Sequence, residues 1–478
     1  MLYAVLRTDF KPFVRKAFNE LSGDTFKDNW HIDLICSEIM DMMEGKNKRL
    51  IINIPPRHLK SIICSVALPA FLLGHNPETS IICVSYNDNL AEKFASDCRR
   101  IMMCPWYMEM FPHTRLTTSR RAIADFETTH GGGRMSTSIG GTLTGRGADW
   151  IIIDDPLKPS DAMSDLQRDK VNEWYGSTLC SRLNDKATGK IILIMQRLHE
   201  NDLTGFLLNS DAGFKHIRLS AIADADETWH YTDRIRNKTH TITRKKDELL
   251  HPARENMDVI CDVRRTQGEY VFAGQYQQLP APADGNMVKE EWLHYYNGDL
   301  PQFSELVIAC DTASKTGLNN AYSAFVILGV NRTNRKIYLL NVVRAKLSFL
   351  ELVKKVDELF DTTTAQYPRC GYPSVVIEDA SSGTQLIQHL KTVTKYNGHV
   401  KAVPADTDKI TRFNGITFYL AEGIVLFPSV AGPWWTDFRA ELLTFPSSTF
   451  KDQCDAFAHG VKYAWSRAKY GPVRVDII

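Results

Sequence analysis

Short, uninterrupted apolar runs alternate with longer amphipathic stretches through the first half of the chain. RLIINI (49–54), SIICVSY (80–86), WIIID (150–154) and KIILIM (190–195) are rich in β-branched residues. Apolar at successive rather than alternate positions, they predict parallel strands covered on both faces. Residues 90–103 and 165–183 carry helical spacing between them. Strand–helix alternation of this kind predicts an α/β domain around a central parallel sheet. A second series runs ELVIACD (305–311), YSAFVILGV (322–330), KIYLLNVVR (336–344), a helix near 349–362, SVVIED (374–379) and GIVLFP (423–428). Three closely connected strands followed by helix and strand predict a mixed sheet. The stretch from about 224 to 286 is more polar and ends in PAPADGN (280–286), a predicted linker. The expected division is a first domain over 1–285, with a small linker or lid region near 210–285, and a second over 286–478. There is no internal repeat and no low-complexity tract.

The length of 478 residues suits two to three domains, and 44% hydrophobic with 24% charged residues is ordinary for a globular protein. With 57 basic and 56 acidic residues the net charge is +1, which excludes a strongly basic, histone-like binder. A local basic patch would still suffice for phosphate contacts. Ten cysteines are scattered without a CxxC pair, so neither a zinc ribbon nor a disulfide framework is expected. Reduced thiols of a cytoplasmic protein fit that pattern. No secretory signal opens the chain, and the apolar stretch 61–74 is interrupted by Pro69. It is also shorter than the ~20 residues a membrane span needs, so no membrane association is expected.

The first chemical motif is IINIPPRHLKS (51–61), a Lys-Ser pair between a strand and a helix. A phosphate-binding loop sits at such a junction, where backbone N–H groups of Pro56–Ser61 (Pro56 excepted), Arg57, His58 and Leu59 among them, would surround phosphates. Lys60 would reach the β- and γ-phosphates and the Ser61 hydroxyl would ligate Mg²⁺. The GxxxxGK[ST] pattern fails at both glycines, which are Ile54 and Leu59. The plain alternative is a surface loop with a helix-starting serine. ADWIIIDDP (148–156) ends an apolar strand in two carboxylates. Asp154 would hold Mg²⁺ and Asp155 would orient the attacking water, unless both are helix N-caps. Gln196, after the strand 190–195, is placed to sense a γ-phosphate. Arg57 and Arg146 are candidates to stabilise transition-state charge, against the alternative of solvated arginines.

Three acidic positions stand out later. Asp311 ends one predicted strand, Glu378 ends another with Asp379 beside it, and Asp452 and Asp455 begin a predicted helix. Asp452 and Asp455, three apart, can share a helix face. In-line phosphodiester cleavage by two Mg²⁺ or Mn²⁺ ions needs several converging carboxylates, and oxygen donors suit those cations. A lone acid after a strand is otherwise a cap or turn residue. The pairs Arg99-Arg100, Arg120-Arg121, Lys245-Lys246 and Arg264-Arg265 read as solvated surface, and Trp434-Trp435 as core or interface.

Taken together, these blocks resemble the phage terminase large subunits over roughly residues 30–465. PPRHLKS resembles the deviant Walker A of one branch, and GRGADWIIIDDP its Walker B region. WYGSTLCSRL, IMQRLHENDLTG and FAGQYQQLPAP are similar to further blocks of that branch. Asp-Asp replaces the Asp-Glu that many relatives have at the end of Walker B. The resemblance implies a P-loop ATPase of the ASCE type joined to an RNase H-like nuclease. It implies ATP with Mg²⁺ as cofactor, with Mn²⁺ an alternative at the nuclease site, and it places Gln196 and Arg197 in a motif coupling hydrolysis to movement. It assigns nuclease metal ligation to Asp311, Glu378 and a late aspartate, for which Asp452 and Asp455 both stay open. The implied partners are double-stranded DNA, the portal protein of a procapsid, a small terminase subunit and other copies in a ring, commonly five. The implied location is the bacterial host cytoplasm, transiently docked on the procapsid and absent from the mature virion. Two other readings stand beside it: an ATP-dependent helicase-nuclease of repair or defence, and a catalytically degenerate assembly subunit.

Overall fold

The computed structural model describes residues 2–468 apart from 142, 144, 211, 281–285, 299, 313–321, 406–407, 431 and 449. The chain divides into two compact units, Met1–Cys261 with Val271–Ala283, and Asp262–Tyr270 with Asp284–Ile478. Most of the predicted linker 280–286 lies outside the described residues.

The first unit is built on strands β1 (Arg49–Asn53), β2 (Ser80–Ser85), β3 (Leu116–Arg121), β4 (Asp125–Thr128), β5 (Gly133–Ser138), β6 (Trp150–Asp154), β7 (Lys190–Met195) and β8 (Lys215–Arg218). Their order is β3-β4-β5-β2-β6-β7-β1-β8. The six strands from β5 to β8 pair in parallel, and β4 and β3 add an antiparallel edge. A hairpin, β9 (Glu227–Asp233) and β10 (Lys238–Arg244), stands apart from this sheet. Successive residues of the inner strands enter different cores. Ile152, Ile192 and Ile194 pack into one, while Ile151, Ile153, Ile191 and Leu193 pack into the other. That two-sided burial is why the runs are continuously apolar. Each fully buried isoleucine contributes roughly 1.5–3 kcal/mol.

The predicted helix 165–183 is interrupted. An α-helix over Asp165–Trp174 passes into a wider π turn at Tyr175–Leu179 and a tight 3₁₀ turn at Cys180–Arg182.

The second unit holds β11 (His294–Tyr296), β12 (Glu305–Asp311), β13 (Ser323–Asn331), β14 (Lys336–Ala345), β15 (Ser374–Asp379), β16 (Val400–Pro404) and β17 (Val425–Pro428). The order is β11-β17-β14-β13-β12-β15-β16. The β14-β13-β12 meander is antiparallel, and β15 and β16 add to β12 in parallel, the mixed arrangement of an RNase H-like fold. The helix Asp452–Ala468 lies on this sheet. Its approach needs Gly460, where a Cβ would meet the side chains of Ala309 and Leu328 at 2.9 Å. Among the described residues no helix is long and apolar enough to cross a membrane, and the cysteines are free.

Candidate functional site

In the first unit the loop after β1 turns back on itself at two residues that lack glycine's freedom. Arg57 and Leu59 have φ of 65° and 64°. Leu59 thus adopts the left-handed conformation at the position where a phosphate loop ordinarily carries glycine, a strain of roughly 1–2 kcal/mol. Packing of Leu59 against the core of the unit offsets part of it. Lys60 and Ser61 open the following helix, which continues as a π turn over Ile62–Ala67 before becoming α-helical at Leu68–His75. Single π turns are frequent at functional sites.

Parallel pairing brings the ends of β6 and β7 beside β1. Lys60 Nζ donates to Asp155 Oδ1 at 2.8 Å, and the Gln196 backbone N–H donates to the same oxygen at 3.1 Å. Asp155 has φ of 43°, so the chain bends sharply as it leaves β6. Asp154 points the other way, accepting from Ser65 Oγ at 2.7 Å. Burial and the neighbouring Asp155 raise the Asp154 pKa, while Lys60 and the hydroxyls of Ser65 and Ser61 oppose them. Asp154 Oδ1 and Gln196 Oε1 are buried without hydrogen-bond partners among the described residues. A buried carboxylate oxygen lacking a donor, beside two hydroxyls and an ammonium, fits a Mg²⁺–phosphate group. Ser65 was not singled out in the sequence; its place one turn after Ser61 on the same helix was the available signal.

Arg57 is exposed in this loop, and His58 is buried beneath it. His58 Nδ1 donates to the Pro56 carbonyl at 2.9 Å. Its ring lies 5.5 Å from that of His31 and 6.1 Å from that of His251. Burial pushes His58 down to about 4. Sequence spacing gave no hint of this trio, because its members come from three distant segments.

Two arginines have partners that the sequence did not suggest. Arg197 follows Gln196, but its buried Nε donates to both Asp202 carboxylate oxygens at 3.0 Å and its Nη2 to the carbonyls of His199 and Glu200. It ties a loop together, so its guanidinium is committed away from Lys60. Arg146 pairs with Asp125 at 2.7 Å and lines a crevice with Ser80 and Gly133, at the amino ends of β2 and β5. Asp154 lies at the carboxyl end of β6, roughly 13 Å away along a five-residue strand at ~3.3 Å per residue. Arg146 therefore does not reach the Lys60 loop of its own chain. Thr142 and Thr144 of the same predicted loop lie outside the described residues.

In the second unit Asp311 ends β12 one residue beyond the Cys310–Ile377 pair, and Glu378 follows Ile377 on β15, so parallel register sets the two side by side. The helix Asp452–Ala468 supplies Asp455 and His459, one turn apart. Glu378, Asp455 and His459 offer ligand atoms all within 4.8 Å of one another. The helix Lys409–Ala421 brings two cations that the sequence reading missed, although Lys409 and Arg412 stand at the three-residue spacing of one helix face. Lys409 Nζ lies 3.1 Å from Asp311 Oδ2, 3.0 Å from Asp455 Oδ2 and 3.7 Å from Asp452 Oδ1. Arg412 bridges Glu378, at 2.6 Å, and Asp455. Burial drives the Asp311 carboxyl up to about 7, with Lys409 opposing it and Asp455 adding to it. Burial and the Arg412 charge hold His459 down at about 4. Asp379 turns aside to accept from Thr384. The carboxylates of Glu378 and Asp455 and one neutral imidazole nitrogen, with Asp311 joined to Asp455 through Lys409, fit Mg²⁺ or Mn²⁺.

A cavity of about 410 Å³ lined by Asp9, Lys11, Arg15 and Tyr231 lies elsewhere and holds none of the predicted residues. Trp434 and Trp435 pack partly buried against the core of their unit.

No family model matches the chain, and no curated protein does. Solved structures do. The large terminase of a thermophilic bacteriophage in complex with ADP is similar over 95% of this chain and 98% of its own, at 10% identity and a TM-score of 0.38. The nuclease domain of the bacteriophage SPP1 large terminase with bound Mn is similar over 38% of this chain and 98% of its own, at 16% identity and 0.27. The Mn-soaked human cytomegalovirus terminase nuclease domain covers 37% of this chain and 94% of its own, at 9% identity and 0.28.

Proposed function

We propose that the chain is the large subunit of a DNA-packaging terminase, hydrolysing ATP in its first unit and cutting DNA in its second. The observation that carries the motor half is the ion pair of Lys60 with Asp155 beside Asp154, whose Oδ1 has no donor among the described residues. Lys60 and the N–H groups opening its helix would bind the β- and γ-phosphates. Asp154, with Ser61, would hold Mg²⁺, which when bound withdraws charge from the phosphates. Asp155 would orient the attacking water and accept its proton. Gln196, whose N–H is bonded to Asp155, would pass a change at the acid into β7. Arg57, exposed at the loop's turn, would approach a phosphate there.

The cutting half is supported by the convergence of Asp311, Glu378 and Asp455. These would hold Mg²⁺ or Mn²⁺, which activates water and neutralises the scissile phosphate. Asp455 is favoured over Asp452 as the helical ligand, because it is fully buried against Glu378 and His459 while Asp452 stands at the rim. Double-stranded DNA, a procapsid portal, a small terminase subunit and a ring of copies, five-membered as the resemblance implies, are the partners this reading carries. The division of labour between residues 1–285 and 286–478 belongs to it as well, as does action in the host cytoplasm.

Parallel assays on two variants test it. Lys60→Ala is expected to abolish DNA-stimulated ATP turnover and spare metal-dependent cleavage, and Asp311→Ala to do the reverse. Unchanged turnover in the first, or unchanged cleavage in the second, rejects the corresponding half. Strand displacement by the wild-type chain would favour a helicase-nuclease instead.

A further inference from the structure

Lys409 and Arg412 stand in the acidic cluster in unequal ways. Arg412 has a side chain only 5% exposed and is held between Glu378 and Asp455. The Lys409 side chain is 42% exposed and enters from the first position of its helix, where Asp408 caps the backbone. Its ammonium touches Asp311 and Asp455 together, standing where a divalent cation would meet both carboxylates only in its place. A four-carbon stem with one point charge can swing into solvent, whereas a buried two-pronged guanidinium cannot leave without stranding two acids.

Charge counting adds to this. Asp311, Glu378, Asp452 and Asp455 supply at most four negative charges, and Lys409 and Arg412 supply two positive ones. With all four ionised the remainder is two negative charges, as many as one divalent ion neutralises. A second ion would stand within a few ångströms of an ammonium, where like charges repel by several kcal/mol at an effective dielectric near ~20.

We propose that Lys409 is a displaceable counter-ion which occupies one of the two cation positions and restricts the DNA-free site to a single divalent ion. The DNA backbone would supply Lys409 with a new partner, so the second ion enters with the substrate. This rests on the nuclease reading above. It makes Lys409 a positioning residue that couples metal loading to DNA arrival.

Mn²⁺ binding to the full chain, without DNA or nucleotide, tests it by calorimetry or electron paramagnetic resonance. The ions of this site are those lost in Asp311→Asn. Wild type and Lys409→Arg are expected to hold one such ion, and Lys409→Met or Lys409→Gln two, or one bound at least about tenfold tighter. Equal stoichiometry and affinity in wild type and the neutral variants overturns the inference while leaving the nuclease reading intact. Loss of no ion in Asp311→Asn sinks the reading itself. Should both neutral variants fail to fold, lysine acetylation of the wild type decides: Mn²⁺ without DNA is expected to leave labelling of Lys409 unchanged, and a several-fold rise under Asp311-dependent Mn²⁺ binding overturns the proposal.

Discussion

Lys60 Nζ lies 2.8 Å from each carboxylate oxygen of Asp155, so the two groups expected to act on a triphosphate hold each other. A bound phosphate would take over the ammonium and free the carboxylate to face water. Arrival of a nucleotide and release of the proposed base would then be one exchange. The Gln196 N–H, bonded to the same oxygen, keeps the freed acid in place.

Asp155→Asn keeps an acceptor at Oδ1 for Lys60 and the Gln196 N–H and removes the charge, the second acceptor and the basicity. ATP turnover should fall by about 10²-fold or more, the usual effect of losing a positioned general base. The pair is partly screened, so stability should drop by about 1–3 kcal/mol. Single-turnover hydrolysis and urea unfolding check the two parts. Turnover within twofold of wild type would remove Asp155 from the chemistry.

Arg57→Gly separates strain from function. Arg57 is exposed and has φ of 65°, a conformation glycine adopts freely. The substitution should stabilise the unit by about 0.5–1 kcal/mol in chemical denaturation. ATP turnover should nevertheless fall, because the guanidinium is the group lost. A stabilised variant with full turnover would assign Arg57 no part in hydrolysis.

Asparagine substitutions distinguish the two helical acids. Asp455→Asn should abolish Mn²⁺-dependent cleavage, since Asp455 meets Glu378, His459, Lys409 and Arg412. Asp452→Asn, 3.7 Å from Lys409 at the rim, should lower cleavage only several-fold. The reverse ranking in a plasmid-nicking assay would exchange their roles.

How much of this was legible in the sequence follows from where each contact lies. The β6 and β7 bounds and the Asp311 and Glu378 strand ends were readable, because two-sided burial forces continuous apolar runs whose last polar residue marks the exit. Strands β4 and β5 and the β9–β10 hairpin were not, since half-exposed strands carry mixed residues without a strong period. Lys409 and Arg412 were missed because a basic residue on a helix ordinarily signifies solvent. Only the fold, which sets their helix against Asp455, gives them acidic partners. The partners of Arg146 and Arg197 were unreadable for the opposite reason: adjacency to a motif in sequence says nothing about which end of a strand, or which carboxylate, a guanidinium reaches.

The histidine trio beneath the loop that follows β1 gives stability a pH dependence. Burial lowers His31, His58 and His251, with the Arg254 charge adding to each. Glu255 stands 4.0 Å from His58, and Asp28 and Lys27 act on His251. These rings stay neutral in the folded chain, whereas unfolded histidine titrates near ~6.5. Between that pH and about 4, the value for His58, the unfolded chain binds more protons, so stability falls as pH drops. Urea midpoints at pH 7 and pH 5 should show the loss, and His251→Gln should reduce it. A midpoint independent of pH in the wild type would contradict neutral, buried rings.

Crystals soaked with Mn²⁺ and a non-hydrolysable ATP analogue, with anomalous diffraction recorded at the manganese edge, test the central claim of two separate sites most directly. The account predicts manganese among Asp311, Glu378 and Asp455, and a triphosphate at Lys60 with its metal against Asp154. Manganese absent from the Asp311 cluster, or a triphosphate bound away from Lys60, would contradict it.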